Sequence, residues 1–122
     1  MYKTTLSLEV WKNARNFVKD IYLTTESFPN AEKFGLTSQI RKATISITAN
    51  IAEGFGRHFK KDKIKFYMYS KGSLKESYDW TQKAKVRELL SSEEYEHIFT
   101  ELEKIPKALN HLINYTNEKL KY

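Results

Sequence analysis

The stretch SSEEYEHIFTELEKIPKALNHLINYTNEKL, residues 91–120, carries the clearest structural signal in the chain. Tyr95, Ile98, Leu102, Ile105, Leu109, Leu112 and Thr116 recur three and four residues apart, with Phe99, Ile113 and Leu120 beside them. This spacing returns to one side of a 3.6-residue turn and predicts a long amphipathic helix with a continuous apolar seam. Ser91 and Glu94 are placed for a capping box, and the early glutamates sit where the helix dipole favours negative charge. Pro106 removes one backbone donor and crowds the carbonyl of Leu102, which predicts a kink and not a break.

A second helix lies upstream, from near Asp62 to about Leu90, with Phe66, Ser70, Ser73, Ser77, Trp80 and Ala84 as its expected inner stripe. Before it, Thr37 to the Gly54–His58 region reads as another helix, with Ile40, Ala43, Ile47, Ile51 and Phe55 on one face. Ile45, Ala49 and Ala52 fall outside that face, so this helix is expected to be covered on more than one side. The first helix is expected to follow Ser7 as N-cap and run to about Glu26. Its stripe is Trp11, Ala14, Val18, Ile21, Tyr22 and Thr25, widened by Val10 and Phe17, and it ends at Phe28-Pro29-Asn30. Four helices with short connections predict an all-α, antiparallel up-down four-helix bundle, one domain over residues 1–122.

Bulk properties agree. Four Gly and two Pro suit long helices, and 122 residues hold one core. The absence of cysteine excludes disulfides, thiolate metal sites and cysteine nucleophiles. No apolar stretch approaches a membrane span, and Met1–Thr5 leads into an amphipathic pattern, so the expected location is the cytoplasm, with no membrane partner. The net charge of +6 is segregated: residues 57–87 carry ten Lys/Arg against three Asp/Glu, and residues 88–103 carry six Glu and no base. In an up-down bundle the junction of the second and third helices shares one pole with the termini, including Lys3, Lys119 and Lys121, which predicts a bipolar molecule.

The run Phe34-Gly35-Leu36, Gln39-Ile40-Arg41, Ala43, Ser46-Ile47 and Asn50-Ile51-Ala52-Glu53-Gly54 resembles the bacterial four-helix-bundle family encoded in intervening sequences of large-subunit ribosomal RNA genes, the 23S rRNA intervening sequence proteins. Val10-Trp11 with Ala14, Ile21-Tyr22, Phe28-Pro29 and Gly72-Ser73-Leu74 with Glu76 match in order, so the resemblance covers most of the chain. The chain departs from the family pattern at Ser70-Lys71, at Val86–Leu90, where a glycine often ends the third helix, and at Pro106. The resemblance implies a cytoplasmic homo-oligomer, ring-like and typically pentameric. It extends to the accessory protein of diversity-generating retroelements, which works beside a reverse transcriptase.

Catalytic chemistry is not expected. His58, His97 and His111 match no metal-ligand spacing, no glycine-rich phosphate loop exists, and no cofactor or metal is expected. Asn50 and Glu53 are read as structural: Asn50 is expected to bond towards Ser73, and Glu53 to pair with Arg57 one turn on. With Gln39, Arg41 and Gly54 they form the candidate structural or oligomer motif.

The candidate nucleic-acid surface comprises Arg57, Lys60, Lys61, Lys63, Lys65, Tyr67, Lys71, Lys75, Tyr78 and Lys85. Lysines neutralise phosphates and tyrosines offer stacking faces, a combination suited to RNA more than DNA in view of the resemblance. The same Lys/Tyr side of the third helix would also serve as a subunit interface. The expected function is therefore a non-enzymatic homo-oligomer that binds nucleic acid. The alternative is a structural or adaptor module whose partners are its own copies and another protein such as a reverse transcriptase.

Overall fold

The computed structural model describes residues 5–122, with side chains from Glu9 onward, so Lys3 lies outside the described residues. Four helices follow in order: α1 (Thr5–Thr25), α2 (Leu36–Gly56), α3 (Lys60–Val86) and α4 (Ser92–Lys119), with a 3-10 turn at Asn30–Glu32. α1 begins at Thr5, so Ser7 lies inside it instead of capping it. Each helix packs on its neighbours in the chain, α4 closes on α1, and the α2–α3 contact is the most extensive. Tyr78 meets Phe99 near the middle of α3 while Lys60 reaches Asn117 at its start, so α3 and α4 run antiparallel. Ser73 meets Ser46 and Lys63 meets Gly54, so α2 and α3 do too. The fold is the up-down bundle that the helix pattern predicts.

α4 follows its sequence pattern closely. Ile98, Leu102, Ile105, Leu109, Leu112 and Thr116 are buried, Ser91 and Glu94 form the full capping box, and the helix runs unbroken through Pro106. α1 is rotated by about one position from expectation, with Val10, Ala14, Phe17, Ile21 and Thr25 buried and Trp11, Val18 and Tyr22 only half-buried.

α3 is the correction. Its buried line is Lys63, Tyr67, Ser70, Leu74, Ser77, Thr81 and Ala84, while Phe66, Ser73 and Trp80 sit at the flanks. Two adjacent aromatics, Phe66 and Tyr67, compete for the interior, and Gly54 decides between them. A Cβ on Gly54 would stand 2.4 Å from Tyr67 Cε1, so the missing side chain is the space the ring fills. The buried serine and threonine hydroxyls of this line are satisfied: Ser70 Oγ donates to the Ile47 carbonyl across the interface (2.9 Å), and Ser77 and Thr81 donate one turn back along α3. Small side chains that bond backbone let α2 and α3 approach closely.

The α3–α4 corner shows why no glycine is needed there. Glu88 takes φ 58, the left-handed region, and two bonds close the helix: Glu88 N–H to the Lys85 carbonyl (2.9 Å) and Leu89 N–H to the Ala84 carbonyl (3.0 Å). This is a Schellman closure with a glutamate where glycine is usual. Arg87 then turns onto the buried carboxylate of Glu32 in the α1–α2 connection. Left-handed geometry costs a non-glycine residue about 1–2 kcal/mol, partly offset by the extra freedom glycine has when unfolded. Glu88→Gly is therefore expected to stabilise the fold by about 0.5–1 kcal/mol, raising the thermal midpoint by a few degrees in a calorimetric scan. An unchanged or lower midpoint would contradict this account of the corner.

Candidate nucleic-acid interface and subunit face

A helix ends in carbonyls without intrahelical partners and a partial negative charge, and cations compensate both. Neither α1 nor α2 has a basic residue in its last turn. Each takes one from the next helix. Arg41 of α2 donates through Nε to Thr25 Oγ1 (2.8 Å) and through its terminal nitrogen to the Tyr22 carbonyl (3.2 Å), with its guanidinium 4.5 Å from the centre of the Tyr22 ring. Lys63 of α3 donates to the carbonyls of Gly54 (3.2 Å) and Phe55 (2.9 Å) at the end of α2. Lys60 closes α4 in the same way, donating to the carbonyls of Asn117 (3.1 Å) and Leu120 (3.2 Å).

Two lysines of the candidate surface thus have internal work, and Lys63 and Tyr67 are not on the surface at all. Lys63 is 3% exposed and Tyr67 0%. Burial lowers the pKa of Lys63, because the dry surroundings disfavour the charged amine. The remaining candidates do not form one patch. From Lys61 to Lys85 the helix rises ~36 Å, with Lys71, Lys75 and Tyr78 between them. Lys85 stands over the Tyr95 ring, 3.9 Å from its centre. Tyr78 lines a groove of about 600 Å³ with Phe99, Leu102, Pro106, Lys107 and His111.

What does assemble is the pole where α2 ends, α3 begins and α4 finishes. Arg57, Lys61, Lys65, Lys119 and Lys121 are exposed there. Arg57 pairs with Glu53 (2.8 Å) as expected and lies 4.5 Å from the centre of the Phe66 ring, which Lys65 approaches at 6.0 Å. His58 and the exposed Phe59 meet edge to face at 4.9 Å between centres. The aromatic members of this pole thus include Phe59, Phe66 and the exposed Tyr122, whose carbonyl accepts from the Lys60 N–H. Sequence spacing placed Phe66 in the core; its neighbours Arg57 and Lys65 were the available signal that it sits at the rim.

A second surface runs along α2 and α3. Ile45 (43% exposed), Ala49 and Ala52 face outward on α2, where Ile45 lines a groove with Tyr22, Phe34 and Arg41, and Tyr69 (50% exposed) and half-buried Phe66 lie on α3. Small polar residues lie between them. Asn50 Nδ2 donates to the Ser46 carbonyl (2.9 Å) and Ser46 Oγ (3.2 Å), and Ser73 Oγ reaches Ser46 Oγ at 2.9 Å. Asn50 therefore connects to Ser73 through Ser46 and not directly. Gln39 lies further along, lining a cleft of about 530 Å³ with Leu36, Trp80 and Val86. No helix among the described residues is long and apolar enough to cross a membrane.

Comparison with known proteins agrees with this architecture. A family model described as 23S rRNA-intervening sequence protein matches residues 6–111. A solved structure, a protein of unknown function from the S23 ribosomal protein family of Bacteroides thetaiotaomicron, superimposes with a TM-score of 0.81 at 22% identity, covering 90% of this chain and 99% of that one. At that identity the likeness shows the fold. No curated protein matches the chain.

Proposed function

The chain belongs to the 23S rRNA-intervening sequence protein family, and from that premise we propose that it is a non-enzymatic, self-assembling bundle that holds nucleic acid, RNA in preference to DNA, at its basic pole. The observation that carries this reading is the gathering of Arg57 and Lys65 around Phe66 at one pole, where Lys61, Lys119 and Lys121 are also exposed. Exposed cations exchange their counterions for phosphates, and exposed rings accept unpaired bases. Assembly through the exposed Ile45, Ala49 and Ala52 of α2 would bring several such poles together and raise their joint affinity through effective concentration.

Binding of a fluorescent single-stranded RNA across a salt series tests the proposal. Affinity is expected to fall steeply with salt. Lys61→Gln with Lys65→Gln should reduce the slope of log K against log salt by roughly 0.7 per lysine. A slope unchanged by that pair, or no binding at low salt, sinks the reading.

The adaptor alternative is favoured by the exposed Ile45, Ala49 and Ala52 of α2, apolar residues of the kind a protein-protein interface covers. Light scattering on the same samples separates the two. A mass several times 14.4 kDa without RNA binding leaves the adaptor standing, and a monomer at all concentrations removes self-assembly.

A further inference from the structure

The fold builds one cluster that no linear spacing announces. His97 and Glu101 stand one turn apart on α4, and Asp20 of α1, 77 residues from His97 in sequence, reaches the same point. His97 Nε2 lies 3.1 Å from Asp20 Oδ2, and one ligand atom from each of the three residues lies within 4.8 Å of the others. We propose that Asp20, His97 and Glu101 form a divalent transition-metal site, suited best to Zn²⁺, that clips α1 to α4.

The argument is geometric and then electrostatic. Zinc held by imidazole and carboxylate at ~2.0–2.1 Å in a tetrahedron separates its donor atoms by ~3.3 Å. The His97–Asp20 pair is already at that spacing, and Glu101 has to close by up to ~1.5 Å, within reach of a side-chain rotation. One imidazole with two carboxylates is a borderline-soft set that favours zinc over magnesium or calcium, which prefer all-oxygen shells. The two carboxylates are also partly dried, with side chains of Asp20 and Glu101 23% and 22% exposed, whereas His97 faces solvent and leaves an entry path. Charge around the site favours a cation, since residues 88–103 carry six glutamates and no base. Lys104 holds Glu101 Oε2 at 2.6 Å, a contact that leaves Oε1 to ligate, and its half-exposed side chain is able to swing away. Three protein ligands leave the fourth position to water, the arrangement of an open site. Because the ligands come from two helices, occupancy stabilises the folded state over the unfolded one.

Calorimetric titration of the chelator-treated full chain with ZnCl2, with MgCl2 as control, tests this. One zinc per chain is expected, at micromolar affinity, with a rise in thermal midpoint that magnesium does not reproduce. His97→Ala and Glu101→Gln, checked for folding by circular dichroism, should each weaken zinc binding more than about tenfold and abolish the midpoint rise. Zinc affinity within twofold of the parent in both variants, or no heat of binding in the parent, overturns the site. A parent that takes no zinc but loses stability in His97→Ala would reduce the cluster to a His–Asp pair.

Discussion

Gly54→Ala is expected to destabilise the bundle in the natural background and to stabilise it when Tyr67 is first reduced to leucine. The added Cβ would sit 2.4 Å from Tyr67 Cε1 and 2.8 Å from Cδ1, against a ring that is fully buried and therefore not the loose end of a flexible chain. The ring would have to shift by ~1 Å inside a close-packed interior, where overpacking costs about 1–3 kcal/mol. Against this, alanine gains ~1 kcal/mol over glycine within a helix. The balance is a net loss of up to about 2 kcal/mol in the natural chain. Tyr67→Leu leaves room, the steric cost vanishes and the helix gain of up to ~1 kcal/mol remains. Chemical denaturation of the four proteins of this cycle should therefore return a coupling equal to the steric cost, about 1–3 kcal/mol. A coupling near zero would mean that Gly54 does not select Tyr67 for the core.

That pair also explains which parts of the molecule were legible in the sequence. α4 was readable because its interior is lined by large aliphatics at strict spacing, and the capping box is written in residues three apart. α2 was readable for the same reason through Ile40, Ile47 and Ile51. α3 was not, because its buried line is mostly Ser, Thr, Ala and a lysine, residues whose hydrophobicity carries little periodic signal. There the decision rests on Gly54, an absence of side chain on another helix. Lys60, Lys63 and Arg41 were obscure for a related reason: their partners are helix-end carbonyls, which no residue type marks. The Asp20–His97–Glu101 cluster depends on the α1–α4 contact, so histidine spacing alone could not reveal it. The +7 of residues 57–87 therefore overstated the basic surface, since two of its lysines neutralise helix ends instead of phosphates.

Lys63→Met separates these two uses of a lysine. Methionine keeps a comparable apolar stem and removes the ammonium group, so packing is largely conserved while the end of α2 loses its cation. The Gly54 carbonyl sits in a buried setting and would keep only its bond from the Arg57 N–H (3.3 Å), whereas the Phe55 carbonyl is only part-buried and regains water. Hydrogen bonds from a charged donor are worth about 1.5–3 kcal/mol, and the loss of these two outweighs the relief of no longer drying an ammonium group. The expected loss is about 2–3 kcal/mol, against less than about 0.5 kcal/mol for Lys61→Met on the exposed face. The pH dependence has a definite sign. Burial lowers the folded-state pKa of Lys63, so in alkaline solution the unfolded chain binds more protons at this residue than the folded one. The advantage of the parent over Lys63→Met should thus be constant at neutral pH and grow as pH rises through the lowered pKa towards the ordinary lysine value. RNA binding provides the converse readout. Where Lys63→Met remains folded, its salt slope should equal that of the parent, whereas Lys61→Gln with Lys65→Gln lowers it. A Lys63 variant that keeps full stability but loses RNA would return this lysine to the binding surface and overturn its assignment as the cap of α2.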